Sequence, residues 1–392
     1  MMMIITRYFS STTWGELGTF NSIAAILIAI AAGRFDLAIM LEHDDRAAKV
    51  LVQLSFRIIV AVSVLGGIIS WLLRPILAEH YSEAVARWMP LIGVSTLFTA
   101  GATMLQYWYN RKTDYKTIAR NRIERQVGSS GGQVVCGWLG IITLPGLLFG
   151  QLIGQVYAFF NLSRKASDLR ALDTKGAPTM GQLARKHWKM PVLNGPNVLV
   201  DSVRTNGINL LIGSISIASL GQYLLAYQAV QVPVTLINSA VSQVFFQKLS
   251  LVRPGAMFAE VRRAIKRATL IGIGPFALLY WLAPWIFPIV FGSGWEDAGY
   301  FARALIPWLF FNLITSPISN MFVVTGTQHW LLGFAILYCV APLTWLSLSP
   351  YPLLETTYVL GAIMAGCLLC MTGLSLLAAR RFDRRSEPVA ND

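Results

Sequence analysis

Apolar runs of about twenty residues recur along almost the whole chain, and a run of that length is what an α-helix needs to cross the ~30 Å hydrocarbon core of a bilayer. Laid against that ruler, spans fall near 19–41, 50–73, 87–109, 123–143, 146–162, 191–215, 220–246, 268–291, 301–325, 330–349 and 356–379. The expected fold is therefore all-α, a polytopic membrane protein of about eleven transmembrane helices. Hydrophobic residues make up 55% of the chain and charged residues only 13%, against about a quarter charged in soluble domains. The opening MMMIITRYFS is too short to cross, and it lacks the charged, apolar and small-residue layout of a signal peptide.

The net charge of +13 is distributed by topology. Lys and Arg concentrate in blocks at 46–49, 111–125, 164–189, 248–267 and 380–385, while the alternate loops hold only Arg7, Arg74, Arg87 and Arg303. Because cytoplasmic flanks retain positive charge, these blocks and the C-terminus are expected in the cytoplasm, and eleven spans then put the N-terminus outside. A nucleic-acid binder would gather its charge on a soluble module, so no nucleic-acid partner is expected. The longest connection, SRKASDLRALDTKGAPTMGQLARKHWKM (163–190), divides the chain into halves and is too short for a catalytic domain. No GxxxxGK[ST] is present, so any nucleotide hydrolysis would need a partner. The four cysteines lie in apolar runs and the histidines are scattered over different loops, so neither a metal nor another cofactor is expected.

The informative residues are polar ones inside the spans. In NGPNVLVDSVRTNGINLLIG (194–213), Asn194, Asn197, Asp201, Arg204, Thr205 and Asn209 recur at three- and four-residue spacing, so they share one helix face. A charge at the centre of a spanning helix costs roughly 2.5–3.5 kcal/mol on insertion scales, and such a stripe belongs in a wet cavity or a polar helix contact. Asp201 and Arg204 can pair, either as an internal lock or beside a cavity. A second span carries Gln228, Gln231, Thr235, Ser239 and Ser242, with Pro233 interrupting its ladder. Polar groups also gather at Gln151 and Gln155, and around Pro317 at Asn312, Thr315, Ser316, Ser319 and Asn320.

Arg57 sits early in its span, either snorkelling to the cytoplasmic interface or facing a cavity. Arg34 and Asp36 end theirs two positions apart, pointing nearly opposite ways on a helix. They are interfacial anchors, or they serve different partners, Asp36 packing against basic neighbours and Arg34 facing a cavity. Neutral amides suit hydroxyl-rich ligands and arginine forks suit phosphate. Glycines at four-residue spacing, Gly146, Gly150 and Gly154 with Gly128 and Gly132, predict close helix packing.

At TRYFSSTTWGELGTFNSIAAILIAIAAGRFDLAIMLEHDD the chain resembles the bacterial polysaccharide biosynthesis proteins of the oligosaccharide flippase family, within the superfamily of multidrug exporters and lipid II flippases. Arg7 to Gly15 looks like the family's R-L-Y-S-P-E-D-F-G turn, Arg34 to Ile39 like its R-Y/F-D-L-A-I helix end, and Glu42 to Asp45 like its acidic P-K-D-D loop. Ser11, Thr12 and Thr13 stand where the turn usually has proline and acids. YNRKTDYKTIARNRI, GLLFGQLIGQ and LAYQAVQVPVTLINSAVSQVFFQK resemble later family segments. The family normally carries one more helix ahead of the arginine-containing turn, making twelve, and this chain begins where that helix would end.

The resemblance implies two pseudosymmetric helical lobes around a central cavity, here 1–170 and 191–379, joined by a basic linker at 171–190 and followed by a basic tail at 380–392. It implies alternating access in the bacterial inner membrane and a cargo of oligosaccharide on undecaprenyl diphosphate, for O-antigen, capsule or exopolysaccharide assembly. Membrane lipids, a polysaccharide polymerase and a chain-length regulator are the implied partners. Arg34, Arg57 and Arg204 are the residues carried into the cationic cavity, with Asn197, Asn209, Gln228 and Gln231 beside them. The rival on the same fold is an ion-coupled small-molecule exporter, for which Asp201 or Asp36 is the coupling carboxylate. A membrane enzyme fits poorly: the outer loops are short, and Glu296 and Asp297 are adjacent rather than flanking a bond.

Overall fold

The computed structural model describes residues 1–250, 255–318, 321–325 and 327–385, and no strand occurs among them. Two compact units emerge, Met1–Gly221 and Gln222–Asp392. Six described helical segments are long and apolar enough to cross a membrane: Ser11–Ala31, Asp45–Leu72, Glu83–Arg111, Met257–Phe291, Ser293–Ile318 and Leu353–Arg384. Most of the other expected spans are helical too. Charges and amides dilute their apolar character, as at Arg122, Arg125, Asp201 and Arg204, and Gly333–Leu348 is apolar but shorter.

In the first unit, α1 (Ser11–Ala31) starts on Ser10, whose hydroxyl accepts from the Thr13 amide. A single helix over 19–41 was expected, and the chain breaks inside it. Gly33 and Arg34 adopt left-handed conformations, φ 54° and 58°, before the short α2 (Phe35–Leu41). The Gly33 conformation is free of steric cost, whereas the same conformation at Arg34 costs roughly 1–2 kcal/mol. Asp44 then caps α3 (Asp45–Leu72), and α4 (Ile92–Arg111) packs beside it. The following helix, α5 (Tyr115–Trp138), begins well before the expected 123, because Asp114 accepts from the Thr117 amide at 3.0 Å; positive-φ Gly140 lies just beyond its end.

Against α5 lies α6 (Leu144–Lys165), and the glycine spacing is what lets them meet. A Cβ on Gly132 would stand 2.9 Å from the Gly150 Cα, and one on Gly128 would stand 3.3 Å from the Gly154 Cα. Backbone meets backbone there, as expected for small residues four apart. The unit is completed by α7 (Met180–Lys186), opened by a Thr179/Gln182 capping box, and by α8 (Gly195–Ile215), which lies along α1. The unit boundary thus falls at Gly221, beyond the linker at 171–190, because the helix after that linker packs with the N-terminal helices.

The linker is held down by charge. Glu42, 7% exposed, accepts from Lys186 Nζ and lies 2.6 Å from His187 Nε2. Arg111 pairs with Asp45 and donates to the Glu42 and His43 carbonyls, and Lys49 donates to the Arg170 and Leu172 carbonyls. Burial by itself would raise the Glu42 carboxyl, but the hydrogen bonds from Lys186 and His187 outweigh it and hold it below the usual carboxylate range. A depressed folded-state value contributes stability above the ordinary carboxylate range, which is lost as pH falls through it. Glu42→Gln is therefore expected to raise amide exchange across 167–189 at neutral pH, with wild type converging on the variant in acid. Equal exchange in both proteins at pH 7 would show that the latch holds nothing.

The second unit consists of α9 (Ile217–Ser250, from Gln222 onward), α10 (Met257–Phe291), α11 (Glu296–Ile318), α12 (Gln328–Leu348) and α13 (Leu353–Arg385). Three prolines, Pro275, Pro284 and Pro288, interrupt the hydrogen-bond ladder of α10. Gln222 joins α9 to the loop before α11, donating to the Gly294 carbonyl at 2.8 Å and accepting from the Ala298 amide at 3.0 Å. Tyr227 stacks on Trp308 at 5.7 Å. The start of α10 is capped from far along the chain, since Asp383 accepts from the amides of Gly255, Met257 and Phe258 at 2.9–3.0 Å.

Candidate functional site

The break at Gly33 and Arg34 decides where the first arginine points. With Arg34 outside both helices, its guanidinium leaves the α2 face and Nε donates to Asn194 Oδ1 at 3.2 Å. Asp36, in the first turn of α2, is only 5% exposed and its Oδ1 has no partner. Both lie within electrostatic reach of Tyr107, as does Arg122. Arg122 in turn donates to Gln106 Oε1 at 3.3 Å. One turn along α5, Arg125 is half-buried and within electrostatic reach of Arg122. The result is a cationic, amide-bearing cluster built from α2, α4, α5 and the segment leading into α8.

The sequence stripes are divided by the structure. Asn194 joins Arg34, whereas Asn209 donates to Ser22 at 3.1 Å and ties α8 to α1. Asn21 and Gln151 exchange two hydrogen bonds at 2.8 and 3.1 Å, and Ser95 donates to Gln155 at 3.0 Å. These amides fasten helices together. Arg204 donates to Asp201 at 2.8 Å, but the Asp201 side chain is 71% exposed. Asn197 is exposed, and Arg57 is exposed with no hydrogen bond or ion pair among the described residues.

Gln228 and Gln231 lie in the second unit; Gln228 is exposed and Gln231 Oε1 has no partner. The side chains of Pro233, Ser239 and Ser242, and the residues Ser319 and Asn320, lie outside what is described.

Two features escaped the sequence. Arg122 and Arg125 counted only as loop charges, although the Asp114 cap places both inside α5. Glu16 is a buried acid, 9% exposed, that accepts from the Ser82 hydroxyl at 3.0 Å. The signal for the arginines was available: Asp114, a preferred N-cap residue, stands just ahead of the segment that carries them. Among the described residues no group of three or more His, Cys, Asp or Glu could hold a metal ion. The cluster itself offers guanidinium forks and amides, a donor set that suits phosphate beside sugar hydroxyls.

Asp201→Asn follows from the exposure of that carboxylate. An ion pair with an exposed partner contributes about 0–1 kcal/mol, so the variant is expected to melt within about that margin of wild type. A larger loss of stability would show that the pair locks helices together.

Two solved structures share this architecture. The lipid II flippase MurJ in an inward-closed conformation superposes with a TM-score of 0.72 at 14% identity, covering 98% of this chain and 87% of that one. An inward-facing multidrug resistance transporter of the MATE family, from the MOP superfamily, superposes with a TM-score of 0.73 at 13% identity, covering 99% and 95%. At such identities the likeness is one of fold alone, an arrangement of packed membrane helices. No curated protein matches the sequence significantly. Residues 4–299 do match one family, described as polysaccharide biosynthesis protein, and over that length the match is decisive: the chain belongs to the polysaccharide biosynthesis protein family.

Proposed function

We propose that this protein is a flippase moving undecaprenyl-diphosphate-linked oligosaccharide from the cytoplasmic to the periplasmic leaflet of a bacterial inner membrane by alternating access. The observation that carries this reading is the cationic cluster of Arg34, Arg122 and Arg125 with Asn194, Gln106 and Tyr107, set in a chain of the polysaccharide biosynthesis family. The guanidinium groups take the diphosphate, with Arg57 and Arg204 as further cationic positions. Asn197, Asn209, Gln228 and Gln231 are the amides proposed for the sugar. The basic flanks support an orientation with the linker, the start of α3 and the C-terminus in the cytoplasm. A polysaccharide polymerase and a chain-length regulator are its proposed partners.

The test is mass spectrometry of polyprenyl lipids from cells lacking the gene, with and without a plasmid copy. A complete oligosaccharide on undecaprenyl diphosphate should accumulate and be relieved by the plasmid. Continued glycan synthesis without accumulation would sink the proposal.

One observation favours the exporter as a second reading: Asp36 is a buried carboxylate with an unpartnered oxygen, the form a proton- or sodium-coupling group takes. Under that reading Asp36→Asn abolishes gradient-driven extrusion of a small organic cation from everted vesicles. Under the flippase reading no such extrusion is seen in wild type.

A further inference from the structure

In the first unit many basic side chains turn to the protein itself: Arg46 and Lys49 donate to linker carbonyls, Arg111 and Lys112 pair with Asp45, and Arg120 pairs with Glu124. The start of α10 differs. Its acids are engaged within the fold, Asp383 by the leading amides and Glu260 by Arg263 Nη1 at 2.5 Å. The neighbouring Arg380 guanidinium lies 4.4 Å over the Phe258 ring. Arg262, Lys266 and Arg267 are exposed and have no hydrogen bond, ion pair or ring contact among the described residues.

Within one turn the same exposed face becomes apolar. Leu270 follows Lys266 by four positions and Arg267 by three, so it adjoins both, and it is 64% exposed. Ile273 and Trp281, further along that face, are 55% and 69% exposed. Counting back about twenty residues from the helix end at Phe291 puts the edge of the hydrocarbon core near Ile271. Lys266 and Arg267 then stand roughly 6–8 Å outside it, within the headgroup layer, and Arg262 roughly 14 Å outside.

We infer that this face of α10 is a docking surface for anionic diacyl phospholipid, with phosphates meeting Lys266 and Arg267 and acyl chains running along Leu270 and Ile273. The inference stands apart from the flippase reading and from the cationic cluster of the first unit.

Three features select that occupant. Whatever meets the cations also meets exposed apolar side chains one turn away, a pairing that a lipid matches and a nucleic acid or soluble acidic protein does not. Lys266 and Arg267 stand about 100° apart around the helix, so they address separate headgroups rather than converge on one phosphate. The face is also open, since a Cβ added at Gly274 would meet nothing within 4 Å. An open basic face beside a span selects by charge, and the abundant anions of a leaflet are its phospholipids.

The experiment is native mass spectrometry of the purified full chain equilibrated with equal amounts of palmitoyl-oleoyl phosphatidylglycerol and phosphatidylcholine. Wild type is expected to retain phosphatidylglycerol on the order of tenfold better. The triple variant Arg262→Gln, Lys266→Gln, Arg267→Gln should retain the two lipids equally, whereas Arg267→Lys should keep the preference because charge alone suffices. A second triple, Lys116→Gln, Arg185→Gln, Lys189→Gln, removes exposed cations of the first unit and should keep it as well. Should melting show that the first triple is unfolded, the single Lys266→Gln carries the test, with an expected drop in preference of about threefold. No preference in wild type, an unchanged preference in the α10 variants, or equal loss in both triples overturns the site. Displacement of phosphatidylglycerol by undecaprenyl phosphate at about a tenth of its concentration also overturns it, by assigning the face to a polyprenyl lipid. Accumulation of lipid-linked oligosaccharide in cells lacking the gene is independent of all these outcomes, so the two readings fail separately.

Discussion

Arg34→Gly is expected to give a protein that inserts and folds, with stability lowered by no more than about 2 kcal/mol, but exports about 10- to 100-fold less cargo. Two effects act on one residue. Arg34 is left-handed at φ 58°, a conformation that glycine adopts without cost, so the substitution relieves roughly 1 kcal/mol of backbone strain. The same change removes the guanidinium that reaches Asn194, and hydrogen bonds to charged groups contribute about 1.5–3 kcal/mol. The measurement pairs thermal stability in detergent with accumulation of lipid-linked oligosaccharide in cells. Normal export by a stable Arg34→Gly protein would remove this side chain from the cargo site. A larger loss of stability would show instead that Arg34 is kept for its packing.

The second large effect contrasts one substitution at two glycines. Gly150→Ala places a Cβ 2.7 Å from the Gln133 Cα, and Gln133 is itself tied to the Leu147 carbonyl at 3.2 Å. Backbone on both sides leaves nothing flexible to yield, and overpacking of this kind costs about 1–3 kcal/mol or more. Gly131 sits on α5 as well, with nothing within 4 Å of an added Cβ. There alanine should stabilise the helix by about 0.5–1 kcal/mol. Thermal melts of the two variants should therefore move in opposite directions. Parallel shifts would mean that the α5–α6 crossing is looser than its backbone distances indicate.

Elements bounded by local chemistry were legible in the sequence. The expected span at 50–73 matches α3, Asp45–Leu72, since an apolar run is its own signal. The four-residue glycine spacing foretold the α5–α6 crossing for the same reason. What was hidden depends on partners distant in sequence or on backbone conformation. Nothing in GRFDLAI marks Arg34 as left-handed, and its Asn194 partner lies 160 positions away. Asn209 and Gln151 looked like cavity or helix-contact residues alike, because one amide hydrogen-bonds equally well to a sugar or to Ser22 and Asn21. Asp201 drew attention by its charge, yet its exposure depends on how α8 seats against α1.

The carboxylate of Asp383 holds the amides at the start of α10, more than a hundred residues earlier. That helix enters the membrane during synthesis with its leading amides still unclaimed by any side chain of the finished fold. They receive their acceptor only once α13 has been translated and inserted. The second unit is therefore sealed from its far end, and a ribosome stalled before residue 383 leaves every helix of that unit made or under way but its first turn unlocked. The start of α10 is thus the last part of the unit to gain its side-chain acceptor, from the helix three places after it.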